Sequence, residues 1–223
     1  MLDPIDGTAT FLRGEQYAVS LALCVDGKQV VGVIGAPNLR LDDGRVREES
    51  VDRLGFGLML SAVKGQGAWI REMGRGSLGV ERRIERRTGG ELHFVDYTPN
   101  GTWWHDGVRQ AAERLGAKYP GTEVWSSHIR YVALIVGGGN AYVRIPVKRN
   151  TASYVWDHAG AQLIFSEAGG KVTDLEGKEI DFGAGRDLSN NWGMVAANED
   201  VHAEILKVVR EVLKENPERT VCS

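Results

Sequence analysis

The sequence predicts a layered α/β protein, and three observations support this fold class. Apolar runs typical of β-strands alternate with segments whose apolar residues recur at helical spacing. Glycines follow several of the helical segments, as expected where helices end. The chain has 223 residues, of which 42% are apolar, so it is long enough to bury a sizeable core. Strands that alternate with helices bury their apolar surface best when helical layers cover sheets.

Predicted strands dominate the first part of the chain. Residues 17–25 and 29–35 are apolar runs joined by an Asp-Gly-Lys segment, and Asp-Gly between two such runs is typical of a β-hairpin. Because both runs are apolar on both faces, we expect them at the centre of a covered sheet. A charged surface excursion over 40–57 then leads to a second pair of short strands within 58–70.

A polar stretch divides the chain. Residues 71–90 are rich in charges and glycine and show little periodicity, which is typical of a loop between two units. We therefore predict an incomplete N-terminal α/β subdomain over 1–90 and a C-terminal α/β subdomain over 91–223.

Strands and helices alternate in the second part of the chain. The helix predicted over 128–136 ends at three glycines, and the helix predicted over 201–215 has a clear apolar stripe. The remaining predicted helices lie at 106–115 and 157–168, and the predicted strands at 92–97, 122–125, 141–146, 171–174 and 193–197.

Composition excludes several functional classes. The 27 Lys and Arg against 30 Asp and Glu give a net charge of −3, which argues against a nucleic-acid-binding protein. No apolar run approaches the length of a membrane span. Cys24 and Cys222 suggest neither a disulfide framework nor a metal cluster. We therefore expect a protein of a reducing, cytoplasmic compartment with no membrane or nucleic-acid partner.

The first chemically suggestive segment is Asp-Pro-Ile-Asp-Gly-Thr at residues 3–8. Asp3, Asp6 and the carbonyl of Ile5 can converge on one hard cation, because Mg²⁺ takes oxygen ligands. The amides of Gly7 and Thr8 then lie at a helix N-terminus, which favours a phosphate beside the metal. The alternative is that Asp-Pro and Asp-Gly form an ordinary turn.

The second segment is Trp-Asp-His-Ala-Gly at residues 156–160. Taken alone, Asp157 at a predicted helix start is an N-cap. Taken together with Asp3 and Asp6, it suggests a cation that receives ligands from both subdomains.

These segments give the chain its resemblance to a known family. The sequence resembles the lithium-sensitive, Mg²⁺-dependent phosphatases that include inositol monophosphatase and fructose-1,6-bisphosphatase, and within them the 3′(2′),5′-bisphosphate nucleotidases. The resemblance extends from Asp3 to about Asn198. Beside the two acidic motifs, it rests on Phe-Leu-Arg-Gly-Glu-Gln at 11–16, Ser127 with Arg130 and Tyr131, Tyr-Val-Arg-Ile-Pro at 142–146 and Glu-Ala-Gly-Gly at 167–170.

The resemblance implies a fold and a set of site residues. The fold is the αβαβα sandwich of the inositol monophosphatase type, with the first subdomain incomplete. Arg130 and Arg144 are among the substrate-binding residues that the resemblance implies, and the alternative for both is ordinary surface charge. The implied metal ligands are Asp3, the Ile5 carbonyl, Asp6 and Asp157. The implied catalytic residues are Asp6 and Thr8. The implied substrate-binding residues are Gly7, Thr8, Ser127, Arg130, Arg144 and Asp157.

The resemblance also implies a reaction. Mg²⁺, in more than one copy, assists direct hydrolysis by water of the 3′-phosphate of 3′-phosphoadenosine 5′-phosphate, or of its phosphosulfate relative, in sulfur assimilation. The partner is thus a small phosphonucleotide that yields AMP, and no covalent intermediate is needed. The second phosphate of such a substrate requires cations beyond the metal site, which suits Arg130 and Arg144.

In the resembled family, a segment before the first motif supplies helices, strands, a metal-binding glutamate and an aspartate implicated in activating water. Only Met1 and Leu2 precede Asp3 here, and the acidic residues Asp42, Asp43, Glu48 and Glu49 lie after the motif. We expect apolar sheet surface to be left uncovered as a result. Three alternatives stay open: a truncated nucleotidase, an inositol monophosphatase-type enzyme and a catalytically inactive remnant. The oligomeric state and a targeting segment also stay open.

Overall fold

The N-terminal part of the chain forms a sheet, here called the first sheet. The structure, a computed structural model, describes residues 1–54, 56–86 and 88–219. The first sheet is antiparallel, with the spatial order β1-β2-β3-β4-β5-β6, and β7 pairs with β5. Its strands are β1 (Leu2–Asp6), β2 (Ala18–Val25), β3 (Lys28–Ala36), β4 (Leu58–Val63), β5 (Ala68–Gly74), β6 (Ser77–Leu78) and β7 (Arg82–Arg83).

Local turn chemistry explains the predicted hairpin. Asp26 and Gly27, between β2 and β3, have φ values of 48° and 73°, the positive angles that a tight hairpin turn requires. By contrast, the loop predicted over 71–90 is wrong in part, because it contains the end of β5 and the short strands β6 and β7. The many charged residues of this stretch gave it no apolar strand pattern in the sequence. In the structure some of these charges pair with one another, as Arg71 does with Glu81 at 2.6 Å.

The second sheet is mixed. β10 and β9 run parallel to β8, whereas β12 is antiparallel to both β10 and β11, and the spatial order is β11-β12-β10-β8-β9. Its strands are β8 (His93–Asp96), β9 (Lys118–Glu123), β10 (Ala141–Arg144), β11 (Gly170–Thr173) and β12 (Met194–Asn198). The strand predicted over 122–125 begins earlier, at Lys118. Pro120 argued against a strand in the sequence, but β9 lies at the edge of the sheet, where proline is tolerated.

Within the described residues, five α-helices accompany the sheets. They are α1 (Thr8–Arg13), α2 (His105–Arg114), α3 (Ser127–Val136), α4 (Ala159–Glu167) and α5 (Glu199–Glu215), with 3₁₀ turns at Val155–Asp157 and Pro217–Arg219. No helix among the described residues is both long and apolar enough to cross a membrane.

The layers follow from where the apolar side chains are buried. One core joins the first sheet, α3, α4 and the inner face of the second sheet, with Leu60, Ile129, Tyr142 and Ile164 among its members. A second core joins the outer face of the second sheet to α2 and α5. The described layers are therefore sheet, helix, sheet, helix, as expected for the α/β sandwich without its first helical layer.

α4 approaches the first sheet very closely. A Cβ atom on Gly32 of β3 would lie 2.4 Å from the carbonyl oxygen of Gly160, and one on Gly160 would lie 2.7 Å from Ser20 Oγ. The two glycines thus allow backbone to pack on backbone. This contact fixes the start of α4, and the turn that carries Asp157, against the first sheet.

The outer face of the first sheet is apolar and exposed. Val19, Leu21, Leu23 and Val25 of β2 are between 37% and 51% exposed, and Leu2, paired with Leu21, is 59% exposed. The expectation that β2 lies in a fully covered sheet is therefore wrong for the described chain. Only the alternate residues of β2 are buried, because α4 covers a single face of the sheet.

Candidate functional site

Asp3 and Asp6 lie on β1, whose pairing with β2 is irregular. Asp3 pairs with Ser20 and Asp6 with Ala18, so the register shifts between the two aspartates. Residues three apart in a regular strand face opposite sides of the sheet. The irregularity allows both carboxylates to face the same site.

Asp157 completes an acidic cluster. Carboxylate oxygens of Asp3, Asp6 and Asp157 all lie within 4.8 Å of one another. Burial raises the pKa of Asp157 to about 7, and the neighbouring Asp6 charge adds to the effect. Burial and Asp6 likewise raise the pKa of Asp3. Mutually repelling oxygen donors of this kind suit a hard divalent cation such as Mg²⁺.

The turn after β1 supports the cluster. Gly7 has φ of 85°, and a Cβ atom there would lie 2.8 Å from Thr10 Oγ1 and 3.0 Å from Ser126 Cβ, so glycine is required. Thr8 begins α1 and donates its hydroxyl to the Ile5 carbonyl at 3.2 Å. The predicted ligand carbonyl and the predicted catalytic hydroxyl are therefore adjacent.

The first turn of α3 holds Asp6 across the gap between the first sheet and α3. Asp6 Oδ2 accepts hydrogen bonds from Ser126 Oγ and from the amide of His128, the latter at 2.8 Å. Ser126 Oγ also accepts a hydrogen bond from the Ile129 amide and so caps α3. Because serine can donate and accept at once, one side chain joins the acidic motif to the helix.

Arg130 and Arg144 are buried near this cluster, at 6% and 8% exposure. Arg130 Nη2 donates to Ser127 Oγ at 2.9 Å, and Arg144 Nη1 lies 3.0 Å from His158 Nε2. In the described part of the chain, neither guanidinium pairs with a carboxylate, and Arg130 Nε–H is buried without an acceptor. Both arginines act electrostatically to lower the pKa of Asp157, although burial and Asp6 outweigh them. The alternative that Arg130 and Arg144 are ordinary surface charges is therefore wrong.

Aromatic rings fix the two guanidinium groups. Arg130 lies 5.0 Å from the ring centre of Tyr142, and Arg144 lies 3.8 Å from that of Trp103. Such cation–π contacts hold arginine without neutralising its charge. The positive charges therefore stay available to an anion.

His158 is a packed histidine rather than a metal ligand. The ring is fully buried, and its nitrogens contact Ser153 Oγ, Arg144 and the Tyr131 hydroxyl. Burial and the nearby Arg144 hold its pKa well below the usual range, so the ring is neutral. A neutral Nε2 accepts a hydrogen bond from Arg144, which orients the guanidinium.

Glu48 is a supporting residue that sequence reasoning missed. Its carboxylate accepts hydrogen bonds from the amides of Gln16, at 3.1 Å, and Trp125, at 2.7 Å. It thus joins the segment after α1 to the residue before Ser126. Its two carboxylate oxygens are thus each engaged by a backbone amide.

His105 lies at the start of α2, and its ring is held by contacts within the protein. Its Nδ1 lies 2.9 Å from buried Asp96 and its Nε2 lies 2.6 Å from the Asn100 carbonyl. Both ring nitrogens are thus used within the protein.

Comparison with known proteins establishes the family. The sequence profile of the inositol monophosphatase family matches residues 1–214. The chain belongs to the inositol monophosphatase family.

Curated relatives within the inositol monophosphatase family share a nucleotidase name. The chain is 38% identical over 221 residues to 3′(2′),5′-bisphosphate nucleotidase of Emericella nidulans, covering 96% of this chain and 62% of that protein. It is 35% identical to the Schizosaccharomyces pombe protein of the same name, covering 97% and 60%, and 37% identical to that of Oryza sativa, covering 96% and 60%. The chain thus spans about three-fifths of the length of these relatives.

Solved structures of the family share the fold. Thermotoga maritima IMPase is 25% identical and superposes with a TM-score of 0.63, covering 96% of this chain and 69% of that one. SaIMPase-II with 2′AMP bound is 17% identical, with a TM-score of 0.63 and coverage of 98% and 73%. The α/β sandwich of the inositol monophosphatase type is therefore confirmed.

Proposed function

We propose that the chain carries the metal and substrate site of a Mg²⁺-dependent 3′(2′),5′-bisphosphate nucleotidase, which removes the 3′-phosphate of 3′-phosphoadenosine 5′-phosphate to give AMP in sulfur assimilation. Asp3, Asp6, Asp157 and the Ile5 carbonyl would hold the cation. The observation that carries the proposal is the pair of buried, carboxylate-free guanidinium groups of Arg130 and Arg144 beside the acidic cluster.

Two separate anion positions support a substrate with two phosphates. The acidic cluster binds a phosphate only through a cation, because its own charge is negative. Arg130 and Arg144 offer planar donors to a second phosphate without a cation. A simple monophosphate of inositol would leave these two buried charges unpaired, which costs free energy.

The chain's own residues divide the work in this proposal. When bound, Mg²⁺ supplies charge neutralisation and a water molecule of lowered pKa. Ser126 and the His128 amide hold Asp6 Oδ2, which fixes the Asp6 carboxylate within the cluster. Thr8 directs its hydroxyl to the same turn and orients the attacking water. Ser127 positions Arg130 on the second phosphate.

A phosphate-release assay on the purified chain tests this proposal. We expect Mg²⁺-dependent, lithium-inhibited release from 3′-phosphoadenosine 5′-phosphate, and an Asp6→Asn variant as control should lose about a hundredfold or more. Arg144→Gln should lower release from this substrate about tenfold more than release from 3′-AMP, which lacks the second phosphate.

The alternatives predict different results in the same assay. Faster release from inositol 1-phosphate than from the bisphosphate nucleotide would favour the inositol monophosphatase-type enzyme. No release above the Asp6→Asn control, together with calorimetric binding of the nucleotide, would favour the inactive remnant. The cytoplasmic location stays a prediction; among the described cysteines, Cys24 is a free thiol.

A further inference from the structure

A basic groove lies between β11 and α5, on the far side of the second sheet from the first sheet. Its volume is about 480 Å³, and none of its lining residues belongs to the acidic cluster or to the arginine pair. The charged lining residues are Lys171, Lys207, Arg210, Lys214 and Glu211. Four cations thus face one carboxylate in a protein whose net charge is negative.

The cations converge because of helix geometry. Lys207, Arg210 and Lys214 are three and four residues apart on α5, so they share one face. Lys171 faces them from β11, which is an edge strand of the described sheet. Like charges at this spacing weaken a helix, so the cluster is costly unless an anion occupies the groove.

The positive charges are not neutralised within the described residues. No ion pair with a carboxylate is formed there by Lys171, Lys207 or Lys214. Elsewhere in the described residues, arginines and lysines form ten ion pairs with Asp or Glu. Glu211 stands on the same helix yet lies beyond ion-pair distance of both helix lysines. The electrostatic potential of the groove is therefore positive and open to a ligand.

One cation is held rigidly at the groove floor. Arg210 Nε donates to the Leu175 carbonyl at 2.8 Å, and a Cβ atom on Gly177 would lie 2.9 Å from Arg210 Nη2. The guanidinium plane is thus fixed, with terminal N–H groups left to bind an oxyanion in a fork. Beside it, Thr173 and buried His202 make the floor polar, and burial keeps the pKa of His202 low so that it adds no charge.

We propose that this groove is a second binding site, which takes a small anion carrying two or more phosphate groups. One arginine fork with three exposed lysines fits several phosphates spread over a few ångströms better than it fits a single carboxylate. The concave shape favours a small ligand over a flat macromolecular surface. This site is independent of the reaction proposed above.

Calorimetric titration with inorganic tripolyphosphate in metal-free buffer tests the site. We expect the double variant Lys207→Gln and Lys214→Gln to bind about tenfold more weakly than the unaltered chain. The matched control, Lys28→Gln and Lys118→Gln, neutralises two exposed lysines elsewhere and should change affinity less than about twofold. Lys171→Gln, which alters β11 instead of α5, provides a second variant if the first fails to fold.

A second arm distinguishes the sources of the phosphates. Phosphatidylcholine vesicles containing a phosphatidylinositol bisphosphate are tested for co-sedimentation with the same variants. Binding to vesicles that the groove variant loses would identify a lipid headgroup, and tripolyphosphate binding alone would identify a soluble ligand. Equal affinity of groove and control variants for both ligands, or no binding by the unaltered chain, would overturn the proposal.

Discussion

Asp157 is the residue at which protonation and cation binding compete most directly. Its pKa of about 7 reflects burial first and then the charge of Asp6. Because this value is raised above the ordinary 3.8, the group favours the fold at low pH, and that contribution is lost as pH rises through about 7. A bound cation offsets the free-energy cost of the buried Asp157 charge, because it pairs with the carboxylate.

We therefore predict that cation affinity falls in mildly acidic solution. Between about pH 7 and pH 6 the association constant for Mg²⁺ should drop about fivefold, because the ionised fraction of an Asp157 carboxyl with a pKa of about 7 falls by that factor. Calorimetric Mg²⁺ titrations across this pH range measure the association constant. Asp157→Asn should bind more weakly at every pH with a flatter dependence; the same slope in both proteins would contradict the assignment.

At the scale of elements, the contact between α4 and the first sheet determines the geometry of the site. Gly32 and Gly160 meet at backbone distance, and the turn that carries Asp157 comes just before α4. A displacement of α4 would therefore move Asp157 away from Asp3 and Asp6. The packing of one helix is thus coupled to the spacing of the three carboxylates.

We predict that Gly32→Ala destabilises the chain by about 1–3 kcal/mol, because the added methyl group overlaps the Gly160 carbonyl. Thermal unfolding followed by circular dichroism measures the loss. Gly101→Ala is the matched control, since a Cβ atom there meets nothing within 4 Å. Equal midpoints for the two variants would show that α4 shifts without cost.

Elements with local signals were predictable from the sequence. The β2–β3 hairpin follows from Asp26 and Gly27, whose positive φ values belong to the turn itself. The acidic motifs were also predictable, since Asp3 and Asp6 are close along the chain. The bond from Ser126 to Asp6 was not, because 120 positions separate the two residues and only the folded arrangement brings them together.

At the scale of the whole molecule, the two faces of the first sheet differ. Ala18, Ser20 and Ala22 of β2 face the helices and are buried, whereas Leu21 and Leu23 face solvent. A contiguous apolar face of this kind promotes association in soluble proteins. This face is the apolar sheet surface that the sequence predicts to be uncovered.

We predict that the chain self-associates as its concentration rises and binds a hydrophobic dye. Leu21→Thr with Leu23→Thr should reduce both, because it keeps strand propensity while removing apolar area. Analytical ultracentrifugation and dye fluorescence measure the change. Leu54→Thr with Val80→Thr, two exposed apolar residues outside β2, should change neither. A monomeric, dye-free unaltered chain would contradict the prediction.

The irregular β1 has a further consequence, for the kind of aggregate that can form. β1 pairs only with β2 among the described strands, and an unpaired strand edge is a template for cross-β growth. Pro4 offers no N–H there, the register shift disrupts the ladder, and two aspartates add charge. The segment that assembles the cation site thus also disfavours strand addition, so we expect association through the apolar face to give amorphous clusters, and electron microscopy that showed fibrils would contradict this.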